Sequence, residues 1–158
     1  MPARWLAPLV ALALTAAAAA QTSPPQQTPQ QLFEQAIVQD ARTTPQIRAL
    51  LQTDAGFVAP AFADLTADGR MDAIVQVRMP GAAGTVAAYV LSTDGTSDGR
   101  LRTIFRSQAL YRATVAVTSG ALVVTVPRYI RGNAVCCPAD SERRTYAWDA
   151  RTHRLRRR

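Results

Sequence analysis

The chain has 158 residues, of which 48% are apolar and 18% charged, so it can bury a core as one ordinary domain, and global disorder is excluded. It holds 18 basic residues against 11 acidic ones, and every basic residue is Arg. With one His and two adjacent Cys, the parts for a Ser-His-Asp site, a His-rich metal site or a two-bridge disulfide scaffold are missing, which points away from an enzyme.

Residues 1–20 read as a secretory signal peptide. Arg4 supplies the positive start, an apolar stretch runs from Trp5 to Ala20, and Ala18-Ala19-Ala20 forms a small-residue cleavage site before Gln21. The apolar run falls short of the roughly 20 residues that span a bilayer, and no later stretch is apolar enough. The expectation is an exported chain, periplasmic or secreted, with no transmembrane segment after cleavage. Residues 21–30 carry three prolines and no large apolar side chain, as a flexible linker does. A single domain is expected over 31–158.

Within that domain the spacing predicts two amphipathic helices. The first starts at Thr28-Pro29-Gln30-Gln31, with Thr28 as N-cap and Gln31 in the capping-box position, and continues through Leu32, Phe33, Ala36 and Ile37. The second runs from Thr44-Pro45 through Ile47, Leu50 and Leu51, capped by Thr44. From Gly56 onward the pattern becomes β. Strands are expected at 57–63, 73–79, 85–91, 101–106, 113–117, 121–126 and 145–148. Turn signals separate them: Asp68-Gly69, Pro80-Gly81, Asp94-Gly95, Asp98-Gly99 and Ser119-Gly120. Strands about ten residues apart, without intervening helices, argue for an antiparallel arrangement. The expected fold is α+β, with the N-terminal helices packed on a meander of about 6–8 strands and the apolar run 121–126 at its centre.

The segment Asp64-Leu65-Thr66-Ala67-Asp68-Gly69-Arg70-Met71-Asp72 places oxygen-bearing side chains at loop positions 1, 3, 5 and 9, with Gly at position 6. A hard cation needs six to eight oxygens. Asp64, Thr66, Asp68, Asp72 and the Arg70 carbonyl could supply them if Gly69 allows the sharp turn. A metal-free turn in which the Asp side chains accept backbone amides suits the same residues. This loop and the Asp72-Ala73-Ile74-Val75 that follows resemble the calcium loops of FG-GAP and VCBS-type repeats, where Thr66 stands in place of the usual Asn or Asp. The resemblance implies a Ca²⁺ site, and because no candidate general base stands beside the loop in sequence, a structural ion is expected rather than a catalytic one. A partial echo, Asp94-Gly95-Thr96-Ser97-Asp98-Gly99-Arg100, lacks the closing carboxylate and reads as a hairpin turn.

Cys136-Cys137-Pro138 is the second unusual feature. In an exported chain the two thiols could form a strained vicinal disulfide, remain free or bridge between chains, or hold a soft metal. Together with Thr145-Tyr146-Ala147-Trp148, this turn resembles the C-terminal part of small secreted bacterial proteins of uncharacterised role, loosely grouped with the LppP/LprE lipoproteins. The resemblance implies compartment and fold, not an activity.

Charge is uneven along the chain. Residues 21–110 carry seven Arg and eight acids, whereas 111–158 carry ten Arg and three acids. Arg151, Arg154, Arg156, Arg157 and Arg158 fall within the last eight residues, downstream of Arg143-Arg144. They offer an anion-binding surface for envelope polymers such as lipopolysaccharide, teichoic acid or anionic lipid. The same residues also suit an edge strand guarded by charge. No nucleic-acid-binding pattern appears, and His153 sits in a cationic stretch that suits a general base poorly.

Overall fold

The computed structural model describes residues 27–94, 96, 98–130 and 137–158. The expected signal segment, most of the expected linker and Cys136 lie outside them. Helix α1 spans Pro29–Gln39 and begins with the capping box read from the sequence: the Gln31 amide donates to Thr28 Oγ1, and the Thr28 amide donates to Gln31 Oε1. Helix α2 spans Pro45–Gln52. Thr44 sits at its N-cap, but its side chain makes no cap bond; the Thr44 amide donates instead to Gln108 Oε1 at 2.7 Å. α1 has no basic residue in its last turn. Arg48 of α2 supplies the missing donors, reaching the carbonyls of Val38, Asp40 and Thr43 at 3.0–3.2 Å, where unpaired acceptors and the negative end of the helix dipole gather.

Eight strands follow: β1 Phe57–Ala63, β2 Asp72–Met79, β3 Gly84–Ser92, β4 Arg102–Ser107, β5 Thr114–Thr118, β6 Ala121–Arg128, β7 Asp140–Asp149 and β8 Arg154–Arg157. They do not form the single meander expected. They divide into two four-stranded antiparallel sheets, β1-β2-β3-β4 (sheet A) and β5-β6-β7-β8 (sheet B). The break falls in the connection 108–113, where Ala109 (φ 62°) and Arg112 (φ 52°) take left-handed conformations. The amides of Leu110 and Arg112 donate to Val86 and Ala83 carbonyls at 2.8 and 2.9 Å, which turns the chain off one sheet and onto the other.

Sheet A carries a core on each face. Phe33, Ile37, Ile47 and Leu51 of the helices meet Val58, Val75, Val77, Tyr89 and Leu91 on one side. Ile74, Ala88, Val90, Ile104 and Phe105 meet Leu122, Val124 and Leu155 of sheet B on the other. Strand alternation explains this: consecutive residues of β2 and β3 point into opposite cores. Ring contacts mark both interfaces, Phe33 with Phe62 at 5.9 Å and Phe105 with Tyr146 at 4.7 Å between centroids. The strand enclosed on both faces is β3, buried from Thr85 through Ser92. β6, expected at the centre, is an inner strand of sheet B between β5 and β7. No helix among the described residues is long and apolar enough to cross a membrane.

Because β2 and β3 belong to both cores, the two cores unfold together. Ile37→Ala in the helix-side core and Leu122→Ala in the inter-sheet core should each cost about 2–5 kcal/mol, as buried large-to-small substitutions do. Both should shift one urea transition followed by far-ultraviolet circular dichroism. Two separated transitions in either variant would refute the shared-core account.

Candidate functional site

The aspartate loop joins β1 to β2 between the register partners Ala63 and Asp72. Asp72 opens β2 at 2% exposure, and its Oδ2 accepts the amides of Leu65 and Thr66 at 2.8 and 3.1 Å. Asp64 accepts Ala67 through Oδ1 at 2.7 Å and Gly69 through Oδ2 at 3.0 Å. Asp68 takes the Arg70 amide at 2.9 Å on Oδ1, while the Arg70 guanidinium bonds its Oδ2 at 2.8–2.9 Å. The backbone turns through Ala67 (φ 59°) and Gly69 (φ 81°), left-handed conformations in which Gly is unstrained and Ala is not. The Arg70 amide and the Arg70 guanidinium hold the Asp68 carboxyl below its ordinary value, with the amide contributing most.

These bonds satisfy the turn without an ion. Among the described residues, no group of three or more His, Cys, Asp or Glu side chains is arranged to hold a metal. Asp64 Oδ1, Asp64 Oδ2 and Asp68 Oδ1 each accept one amide and keep a second lone pair, whereas Asp68 Oδ2 and Asp72 Oδ2 each take two bonds; Thr66 Oγ1 is buried with no hydrogen-bond partner among the described residues. The oxygens left for a cation are therefore Thr66 Oγ1, the remaining lone pairs of Asp64 and Asp68, and the Arg70 carbonyl. The Arg70 guanidinium already supplies positive charge to Asp68. The echo segment lies between β3 and β4, the place of a hairpin turn, and repeats the Asp-Gly-Arg clip: Asp98 accepts the Arg100 amide at 3.2 Å and pairs with its guanidinium at 3.0 Å.

The C-terminal arginines do not share one patch. Arg151 lies in the turn after β7, its amide bonded to Asp149 Oδ1. In β8, Arg154 and Arg156 stand opposite Asp149 and Ala147, whereas Leu155 and Arg157 stand opposite Trp148 and Tyr146. Leu155, Trp148 and Tyr146 face the inter-sheet core, so Arg157 is on the inner face and Arg154 and Arg156 on the outer. Arg158 follows β8, its amide bonded to the Thr145 carbonyl at 3.0 Å.

Arg157 joins residues far away in sequence. Glu142 of β7 is within salt-bridge reach of three guanidinium groups: Arg144 at 2.8 Å, Arg157 at 3.0 Å and Arg128 at 3.3 Å. Arg144 grips both of its oxygens. Hydrogen bonding to Arg144 leads the effects that overcome desolvation and lower the Glu142 carboxyl to about 2. Neither Arg128 nor Glu142 stood out in the sequence. The signal present was register: Val126↔Glu142 and Val124↔Arg144 pair β6 with β7, which places the Arg128 end of β6 beside them.

His153, whose sequence neighbours are cationic, has an acidic partner from the other sheet. Its Nδ1 lies 3.0 Å from Asp94 Oδ2, an oxygen also 3.9 Å from Arg102, and its ring stands edge-on to Trp148 at 6.0 Å. Cys137 is exposed. The expected Cys136–Cys137 disulfide involves a residue outside the described ones. Comparison with protein-family models, with curated proteins and with solved structures finds no match.

The Glu142 cluster fixes a direction of pH dependence. A carboxyl near 4.5 in the unfolded chain and at about 2 in the folded one stabilises the fold above the unfolded value; that stabilisation is lost as pH falls through the folded value. Between pH 4.5 and 2 the wild type should lose stability faster than Glu142→Gln in urea titrations at successive pH values. Parallel pH profiles for the two proteins would show that the arginines do not hold the carboxylate.

Proposed function

We propose that the chain is an exported, non-enzymatic envelope domain, periplasmic or secreted, that binds anionic polymers through the arginines of sheet B. The observation carrying this reading is the Glu142 cluster: one carboxylate stands against three guanidinium groups, an excess of two positive charges held in position by β-sheet register. Arg143, Arg154 and Arg156 are exposed on the other face of β7 and β8, and Arg158 on the residue after β8, with Asp149 paired to Arg156 at 3.2 Å. Guanidinium groups present forked donors that match phosphate and carboxylate groups of lipopolysaccharide, teichoic acid or anionic lipid. The signal-peptide reading of residues 1–20 supports export and places such polymers within reach.

Binding of this kind is salt-dependent, because each neutralised charge releases a counterion. The protein should be retained on immobilised heparin at low salt. The double variant Arg128→Gln, Arg157→Gln changes side chains that are 65% and 57% exposed, so the fold should survive. Two lost contacts at roughly 0.7–0.9 each should make its slope of log affinity against log salt shallower by about 1.5. Free passage of the wild type at low salt, or an unchanged slope in the variant, would sink the proposal.

Thr66 Oγ1 favours a second reading, in which the Asp64–Asp72 loop takes a structural Ca²⁺. A buried hydroxyl oxygen without a partner lies in the loop that carries Asp64, Asp68 and Asp72, a segment resembling FG-GAP and VCBS-type calcium loops. Saturation at a hundredfold over Kd would stabilise the fold by about 2.7 kcal/mol, a rise in Tm of roughly 5–10 °C for a domain this size. Calcium should produce that rise in the wild type and not in Asp64→Asn. A melt identical in calcium and in EDTA excludes the ion.

A further inference from the structure

On the helix side of sheet A, away from sheet B, a groove of about 740 Å³ runs between α1 and the strand that begins at Arg102. Its walls are chemically divided. Leu32, Ala36 and Leu101 give it an apolar side, and Leu32 is 42% exposed although it lies on the turn directly before the buried Phe33. The polar side is built on Asp40, Arg42 and Arg106.

The charges there can be followed one by one. Asp40 accepts the Arg42 amide at 2.9 Å and the Arg106 Nη2 at 2.8 Å. Burial acts to raise the Asp40 pKa, but the Arg42 amide, the Thr103 hydroxyl and Arg106 outweigh it, so the carboxylate stays ionised. Arg100, which also lines the groove, pairs with Asp98 at 3.0 Å; Arg102 beside it comes within 3.9 Å of Asp94, and its Nε and Nη2 are buried without a hydrogen-bond partner among the described residues. Arg42 is exposed and belongs to no ion pair among the described residues. Arg106 spends one N–H on Asp40, and its Nε is buried without a hydrogen-bond partner among the described residues. A buried charged donor left unmade is costly, and an acceptor arriving at this end of the groove would complete the fork.

The sum is one uncompensated positive charge and three unfilled guanidinium nitrogens, Arg106 Nε and Arg102 Nε and Nη2, beside an open aliphatic wall. We infer that this groove binds a small monoanion, a carboxylate attached to a short aliphatic group, with the carboxylate on Arg42 and Arg106 and the aliphatic part against Leu32, Ala36 and Leu101. A polyanion would meet only one free cation here, so the site is distinct from the arginines of sheet B. Two sources share this chemistry: a medium-chain fatty acid and the C-terminal carboxylate of a peptide ending in an aliphatic residue.

Amide chemical-shift titrations of ¹⁵N-labelled protein separate the outcomes. Octanoate and N-acetyl-leucine represent the two sources; acetate and octanol test the charge and the chain alone. Octanoate, N-acetyl-leucine or both should shift the amides of residues 32–42 and 99–106 at least tenfold more tightly than acetate or octanol, and the tighter of the two identifies the source. Arg42→Gln and Leu32→Gln alter exposed side chains and should each weaken binding about tenfold while leaving the free spectrum otherwise intact. The inference is overturned if acetate binds as well as octanoate, if the shifts map to β7 and β8, if both substitutions leave the affinity unchanged, or if neither carboxylate binds. Heparin retention reports separately on sheet B, so failure of one reading leaves the other standing.

Discussion

A strand buried on both faces imposes two demands at once. Every peptide group along β3 must find a partner strand on either side, and both layers of its side chains must be covered. β2 and β4 meet the first demand. The second requires separate lids, since residues that alternate between faces cannot share one. The two helices close the side of Tyr89 and Leu91, and sheet B closes the side of Ala88 and Val90. The helical lid is short and gains little from its own backbone, because helices of this length are marginal alone. Polar clamps therefore hold it: Arg48 gathers the end of α1, and Gln108 bonds the Arg42 carbonyl, the Thr44 amide and the Tyr89 hydroxyl. Tyr89 is thus a core residue and an anchor for the helix turn, and burial pushes its hydroxyl above the ordinary tyrosine value.

Local features of this fold could be read from local chemistry. The Thr28–Gln31 box, the Ser119-Gly120 turn with φ of 48° and 70°, and β1 with its bounds all depend on neighbouring residues, and all are present. The division into two sheets could not be read in the same way. It rests on left-handed Ala109 and Arg112, residue types that give no turn signal, held there by carbonyls more than twenty residues earlier in the chain. The front half of β7 was hidden for a similar reason. Asp140 to Arg144 looks like a polar loop until β6 stands beside it, and only then do Glu142 and its arginines make strand structure acceptable there.

The functional residues divide along the same line. Density in sequence gathered Arg151, Arg154, Arg156, Arg157 and Arg158 into one cluster, but a strand turns each successive side chain to the opposite face. Arg157 thereby leaves its neighbours and joins Arg128 and Arg144, while His153 finds Asp94 across 59 positions. The aspartate loop was more legible, because its partners are its own amides within seven residues. Sequence could place those carboxylates together, but it could not rank an ion against the amides and Arg70 as the positive charge they meet.

The use of Arg alone ties the charge pattern to the proposed binding. Three acids are gripped by an arginine two positions later: Asp68 by Arg70, Asp98 by Arg100 and Glu142 by Arg144. Such a short span favours a planar fork that can bond through Nε as well as its terminal nitrogens; lysine offers a single point of charge. These local pairs take up acids that could otherwise neutralise arginines elsewhere. In the N-terminal two thirds the remaining balance is close to even, so a groove there is left with one free cation. Across residues 111–158 the sequence sets only Asp140, Glu142 and Asp149 against ten arginines, and Glu142 already serves three of them. Internal pairing cannot neutralise that surface, and counterions must complete it. A polymer that carries its anions at fixed spacing displaces those counterions with a gain in entropy.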